Sequence, residues 1–330
     1  MNKNRRTQLA HGAVSATLTV VLMMVARFVS GFSVITVLLT GLPIAFLGTR
    51  HGTRISALTA IVSVLVLALV TGDILSTLLL GALHLLPGLG IGYALSHRKG
   101  YYGALLYGST GVLAGLLLQI LALNFLNGGN GFAQLISGTL QETEAMMQQL
   151  ISRMDGNNAQ EMMATAENVL KVAEQQFMLY LPTMLIAISA VLGYATVAVA
   201  LFMLKRLKIK RVSYLRFSEL IAPRSVCYLS VLLSIFAMMQ REITVFAAGI
   251  LNLSMLLELF LAVCGLSLID AKLEKKISAG VARGGVYLAV FLVGYLFLGM
   301  LFRVLSLLGM IDGLFGFRYG KKGENHGEEK

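Results

Sequence analysis

Apolar runs of about 18 residues or more recur along most of this chain, each long enough to cross a ~30 Å hydrocarbon core as a helix. In lipid every backbone N–H and C=O must find its partner within the protein, so a run of this kind leaves the chain few choices. With 57% hydrophobic and only 13% charged residues, lipid is the solvent that the chain is built for. The expected fold class is all-α: a polytopic helical membrane protein with about nine transmembrane helices.

The basic residues set the expected topology, because Lys and Arg collect in cytoplasmic loops. Lys3, Arg5 and Arg6 place the N-terminus in the cytoplasm, ahead of a retained first helix from about His11 to Val29. Spans 2 to 5 are expected at Phe32–Gly48, Ile55–Val70, Thr77–Leu95 and Gly103–Leu123. Arg50, His51 and Arg54, then His97, Arg98 and Lys99, mark the inner loops between them. The segment Phe125 to Met178 holds six acids (Glu142, Glu144, Asp155, Glu161, Glu167, Glu174) against Arg153 and Lys171. It is expected outside the membrane as a helical hairpin, turning at Asp155-Gly156-Asn157-Asn158 with Asn158 as N-cap. Met146, Met147, Met154, Met162, Met163 and Met178 line it, either packing the hairpin or forming an adaptable lid.

Span 6 (Leu179–Leu204) arrives at the basic loop of Lys205, Arg206, Lys208, Lys210, Arg211 and Arg216. Spans 7 to 9 are expected at Val226–Met239, Thr244–Ile269 and Gly284–Leu301, with Gln240-Arg241-Glu242 and Lys272, Lys275 and Lys276 between them. The domain division read from this pattern is residues 1–204, three further spans over 205–310, and a polar tail over 311–330; the stretch after Arg303, which mixes apolar residues with glycines before turning polar, is expected at the interface.

The net charge of +11 is accounted for by topology, and no basic patch interleaved with aromatics points to nucleic acid. Cys227 and Cys264 each fall in a span and suggest neither a disulfide nor a thiolate metal site. There is no Walker motif, HExxH, GxSxG or dinucleotide fingerprint. The chain is therefore expected to be no enzyme and to carry no cofactor or metal of its own.

Polar side chains inside spans carry the candidate site, since each demands a partner or a wet cavity. Arg27 and Asp73 come to a similar depth near the outer ends of spans 1 and 4 and are expected to pair, with snorkelling of Arg27 to headgroups the alternative. His84 and Glu258 lie near the midpoints of spans 4 and 8, where they form either a binding pair or a structural clamp. Asp73, Thr77, Gly81, His84, Gly88 and Gly92 make one narrow stripe on span 4. The stripe is expected to face protein, namely spans 1, 5 or 8. Gly111 and Gly115 give span 5 a GxxxG spacing beside Gln119, and Gly12 and Ala16 give span 1 a small-residue patch.

The patch Gly12 to Ala16, Pro43 and the run Leu86-Pro87-Gly88-Leu89-Gly90-Ile91-Gly92 resemble the substrate-binding membrane components of energy-coupling factor transporters over about residues 1–204. The whole chain resembles the YybS-like family of bacterial membrane proteins. The resemblance implies that Gly12 and Ala16 meet a transmembrane coupling subunit, that ATPase subunits supply energy, and that the outer loops near Arg27, Asp73 and Asn124 surround a small-molecule cargo. Three extra spans and the large insertion at 125–178 depart from that pattern. The expected function is a substrate-binding or transport component in the bacterial cytoplasmic membrane, in contact with membrane lipids. Arg27, Asp73, His84, Gln119, Asn124 and Glu258 are its expected substrate-binding residues. A membrane scaffold in envelope or developmental processes is the alternative.

Overall fold

A computed structural model describes residues 3–29, 33–151, 159–209, 217–239, 244–274, 276 and 298–318. All regular structure among them is helical, and the chain divides into two compact units, residues 1–213 and 214–330. Among the described residues six helices are long and apolar enough to cross a membrane, and Ile35–His51 and Arg224–Met239 are shorter apolar segments. The chain is thus a multi-pass helical membrane protein.

In the first unit, α1 (Lys3–Phe28) is followed by a broken segment, α2 (Ser33–Thr40) and α3 (Leu42–His51). The break falls at Gly41 just before Pro43, whose ring has no N–H to give to a helix ladder. What reads as one span 2 in the sequence is therefore two short helices. α4 (Thr53–Thr71) ends on Gly72 in the left-handed conformation, its N–H returned to Ala68. Asp73 then caps α5 (Ile74–Ser96), accepting from Ser76 N.

α5 is the central helix. One buried cluster joins it through Leu85 to Met23 of α1, Ile44 of α3, and Ala60 and Leu67 of α4. The other joins it through Ile91, Ala94 and Leu95 to Ala45 of α3, Ala104 of α6 (Gly100–Leu126) and Val197 and Leu201 of α8 (Ala159–Arg206). Glycines make this crowding possible. A Cβ on Gly88 would stand 2.2 Å from the Gly41 carbonyl oxygen, and one on Gly92 would stand 3.1 Å from Gly48 Cα. Across the other face, Gly111 and Gly115 of α6 press on the backbone of Pro87 and Leu83. The GxxxG spacing in α6 thus serves packing within the unit.

α7 (Gly131–Ile151) packs against α8. α8 is a single helix of 48 residues with Pro182 inside it, about 72 Å long at 1.5 Å per residue. The second hairpin helix and span 6, separate in the sequence reading, are one rod. The expected hairpin turn, with Asn158 and Asp155, lies outside the described residues.

In the second unit a short 3-10 turn (Phe217–Glu219) precedes α9 (Arg224–Met239), α10 (Val245–Glu274) and α11 (Leu298–Phe315). Gly265 and Gly309 let α10 and α11 touch backbone to backbone, since a Cβ on either would overlap a carbonyl of the other helix. Gly309 and Asp312 therefore lie in a helix that packs closely on α10. Most of expected span 9, the Gln240-Arg241-Glu242 turn, and Lys210, Arg211, Arg216 and Lys275 lie outside the described residues.

Candidate functional site

The end of α1 and the start of α5 meet at Arg27 and Asp73. Arg27 Nη2 donates to Asp73 Oδ2 at 3.0 Å, and Arg27 Nη1 donates to Ser76 Oγ at 2.5 Å. Ser76 donates to Asp73 twice, through its N–H at 3.0 Å and its hydroxyl at 2.5 Å. These Ser76 bonds, and after them the one from Arg27, hold the Asp73 carboxyl down at about 2. The carboxylate is anchored by the α5 N-terminus first and by Arg27 second. The expected pair exists, and Ser76 is a member of it that hydropathy does not reveal. Its signal in the sequence is its place three residues after an N-cap Asp.

Arg27 and Ser76 also line a cavity of about 580 Å³. Its walls are Leu79 and Leu80 of α5, Leu116, Ile120 and Leu123 of α6, Phe132 and Leu135 of α7, and Phe177, Leu181, Met184, Leu185 and Ile188 of α8. Gln119 lines it too, with its carboxamide donating to the Leu79 carbonyl at 3.4 Å. Cargo binding by Arg27, Asp73 and Gln119 implies a polar pocket bounded by spans 1, 4 and 5. α1, α5 and α6 do bound this one, but its walls are apolar and its charge sits at one end. The reason is helical spacing: Leu116, Ile120 and Leu123 on α6 and Leu181, Leu185 and Ile188 on α8 recur every three or four residues and so share one face of each helix. Leu126, Leu135 and Ile188 are each about half exposed, so the cavity opens to the surface.

Asn124 is not a wall of this cavity. Its side-chain oxygen accepts from Phe132 N at 2.8 Å and closes the turn through Gly128 and Gly129, both at positive φ. Gly12 faces α4, where a Cβ on it would stand 3.4 Å from Thr59 Oγ1, and Ala16 lies one turn further along α1.

His84 is 2% exposed, with Nδ1 on the Leu80 carbonyl at 2.9 Å. A carbonyl only accepts, so Nδ1 donates to it, and Nε2 has no partner among the described residues. Glu258 is half-buried on α10 in the second unit and makes no hydrogen bond or ion pair among the described residues. The two residues belong to different units. The α5 stripe faces protein, but the neighbours differ from those expected. Gly81 lies against Val64 of α4 and Met23 of α1, and Gly88 and Gly92 lie against Gly41 and Gly48, so spans 2 and 3 are the main partners.

The second unit holds a buried ion pair absent from the sequence reading. Arg318 Nε donates to Asp312 Oδ2 at 2.7 Å, with the side chains 7% and 1% exposed. The same guanidinium donates to the carbonyls of Ser218, Leu220 (2.8 Å) and Cys264 (3.2 Å). Ser267 Oγ donates to the Phe217 and Leu220 carbonyls as well. The cluster pins the turn before α9 to α10 and to the end of α11. Arg318 falls in the stretch that the sequence reading assigns to a polar tail.

Among the described residues no group of three His, Cys, Asp or Glu side chains is placed to hold a metal ion. No curated protein and no solved structure matches the chain. A family model does: the one described as "Predicted membrane protein (DUF2232)" matches residues 17–313, from α1 to the last turn of α11, and the chain belongs to that family.

Proposed function

We propose that this protein is a substrate-binding or transport component of the bacterial cytoplasmic membrane, and that the cavity between α5, α6, α7 and α8 is its cargo site. The observation that carries this reading is the cavity itself, about 580 Å³ with Arg27 and Ser76 among its lining residues. That volume is in the range of small-molecule sites, whose walls are mostly apolar with a few placed polar groups. On this reading about nine helices cross the membrane, the N-terminus is cytoplasmic, and Asp73 marks the outer side. The outer half of the 48-residue α8, paired with α7, projects as a hairpin, because about 72 Å of helix exceeds a ~30 Å core. The chain is not itself an enzyme. Any ATP hydrolysis is supplied by separate subunits, in keeping with its resemblance to the substrate-binding components of energy-coupling factor transporters and to the YybS-like family.

The test is affinity purification from bacterial membranes in mild detergent, with mass spectrometry of both proteins and retained small molecules. A stoichiometric small molecule, with or without a coupling subunit and ATPases, supports the proposal. Envelope structural proteins with no retained molecule would favour the scaffold reading. That second reading draws on Glu142, Glu167, Leu150 and Val169, exposed on α7 and α8 where a partner could dock.

A further inference from the structure

The shape and charge of the α5–α8 cavity narrow the kind of molecule that fits it. Along α6 its lining runs from Leu116 to Leu126, a rise of about 15 Å, which is half of a ~30 Å hydrocarbon core. The walls over that depth are leucine, isoleucine, phenylalanine and methionine, apart from Gln119. The one charged lining residue, Arg27, sits at the Asp73 end. A site one leaflet deep, greasy along its length and with a guanidinium at its tip, matches the outline of a lipid-like molecule lying parallel to its neighbours in the bilayer. The exposed edge at Leu126, Leu135 and Ile188 gives such a molecule a lateral way in.

Arg27 is suited to change partners. A guanidinium has five N–H donors, and two of them are used, on Ser76 and Asp73. Asp73 keeps both bonds from Ser76 if Arg27 turns away, so releasing the guanidinium does not strip the α5 cap. A carboxylate or phosphate can take two parallel N–H bonds from an arginine.

We propose that the cavity binds a single-chain anionic amphiphile. Its carboxylate or phosphate accepts from Arg27, in exchange for or beside Asp73, and its chain lies along Leu79, Leu116, Leu123, Leu181 and Leu185. This rests on the reading of the cavity as the cargo site.

The experiment uses the full chain in nanodiscs of zwitterionic lipid and two probes, a fluorescent polyene fatty acid and its methyl ester, with protein-free nanodiscs subtracted. The native protein is expected to bind the acid at least tenfold more tightly than the ester at neutral pH. R27Q should bring the two within about twofold, whereas R27K, which keeps the charge, should retain most of the preference. L185W fills the cavity and should weaken both probes at least tenfold. Gel filtration and thermal melting identify any variant that fails to fold, and the acid-to-ester ratio in the native protein stands without the variants. Equal binding of acid and ester by the native protein, or a preference that survives R27Q, overturns the anionic class. If L185W still abolishes binding in that case, the cavity remains the cargo site. If L185W binds both probes as the native protein does, the cargo-site reading falls as well.

Discussion

Arg27 Nη2 lies 3.0 Å from Asp73 Oδ2, so a guanidinium at the end of α1 closes onto the N-cap residue of α5, 46 positions away. The carboxylate has two duties, capping α5 and holding α1, and substitutions separate them. D73N keeps a capping oxygen and loses the ion pair, whereas D73A loses both. D73A is therefore expected to melt at lower temperature than D73N, and D73N close to the native protein, since exposed ion pairs contribute little. A charge-swapped R27D/D73R pair is expected to recover only the part of the loss due to charge, because arginine cannot cap. Full recovery in a thermal melt would contradict the capping role.

The same site predicts a pH dependence. The Asp73 carboxyl is held at about 2, below its ordinary value of 3.8. A depressed carboxylate contributes stability that is fully present above the ordinary value and is lost as pH falls through the lowered one. Native protein should thus lose melting temperature between about pH 4 and pH 2 by more than D73N does. Parallel curves for the two would remove Asp73 from the acid response.

Glycine contacts around α5 give a stability prediction with an internal control. G88A puts a methyl 2.2 Å from the Gly41 carbonyl oxygen, and neither backbone can retreat without unpacking α5 from the α2–α3 break. The expected cost is about 1–3 kcal/mol or more, read as lower yield and earlier thermal aggregation. G138A on α7 meets nothing within 4 Å and should be neutral or stabilising by up to about 1 kcal/mol.

The buried Asp312 and Arg318 pair predicts a failure confined to the second unit. R318Q leaves Asp312 without its counter-ion and takes donors from the Ser218, Leu220 and Cys264 carbonyls, at an expected cost of about 3–5 kcal/mol. D312N/R318Q should recover only part, because the carbonyls still lose donors. The two cysteines, Cys227 and Cys264, are both buried in this unit, so a thiol-reactive dye reports its unfolding directly. R318Q is expected to take up dye at a lower temperature than the native protein, and uptake only at the native protein's own transition temperature would count against the pair as an anchor.

Much of this architecture is legible in the sequence because lipid makes the rules strict. Apolar length finds the helices, and counting residues along spans 1 and 4 puts Arg27 and Asp73 at one depth. The glycine stripe on α5 is readable as a packing face, yet not its partners, because spacing within one helix says nothing about which neighbour stands opposite. The break at Gly41 is hidden in an apolar run, where hydropathy does not register a missing N–H at Pro43. The unity of α8 is hidden for the opposite reason: polarity changes at its middle while the helix does not. Arg318 reads as tail because it follows Gly316 in a stretch turning polar, and only the bonds it makes show it to be core. The apolar lining of the cavity is invisible for a related reason, since a leucine facing lipid and a leucine facing a cavity look the same in a chain.

A membrane amphiphile lying between α5, α6 and α8 can be located by photo-crosslinking. A fatty acid carrying a diazirine near the middle of its chain is equilibrated with the protein in nanodiscs and irradiated, and the labelled peptides are mapped. Label is expected to concentrate on Leu116 to Leu123 and Leu181 to Ile188 and to be depleted in L185W. Label spread evenly over exposed apolar residues such as Leu58, Leu69, Leu106 and Val191, and unchanged by L185W, would contradict it.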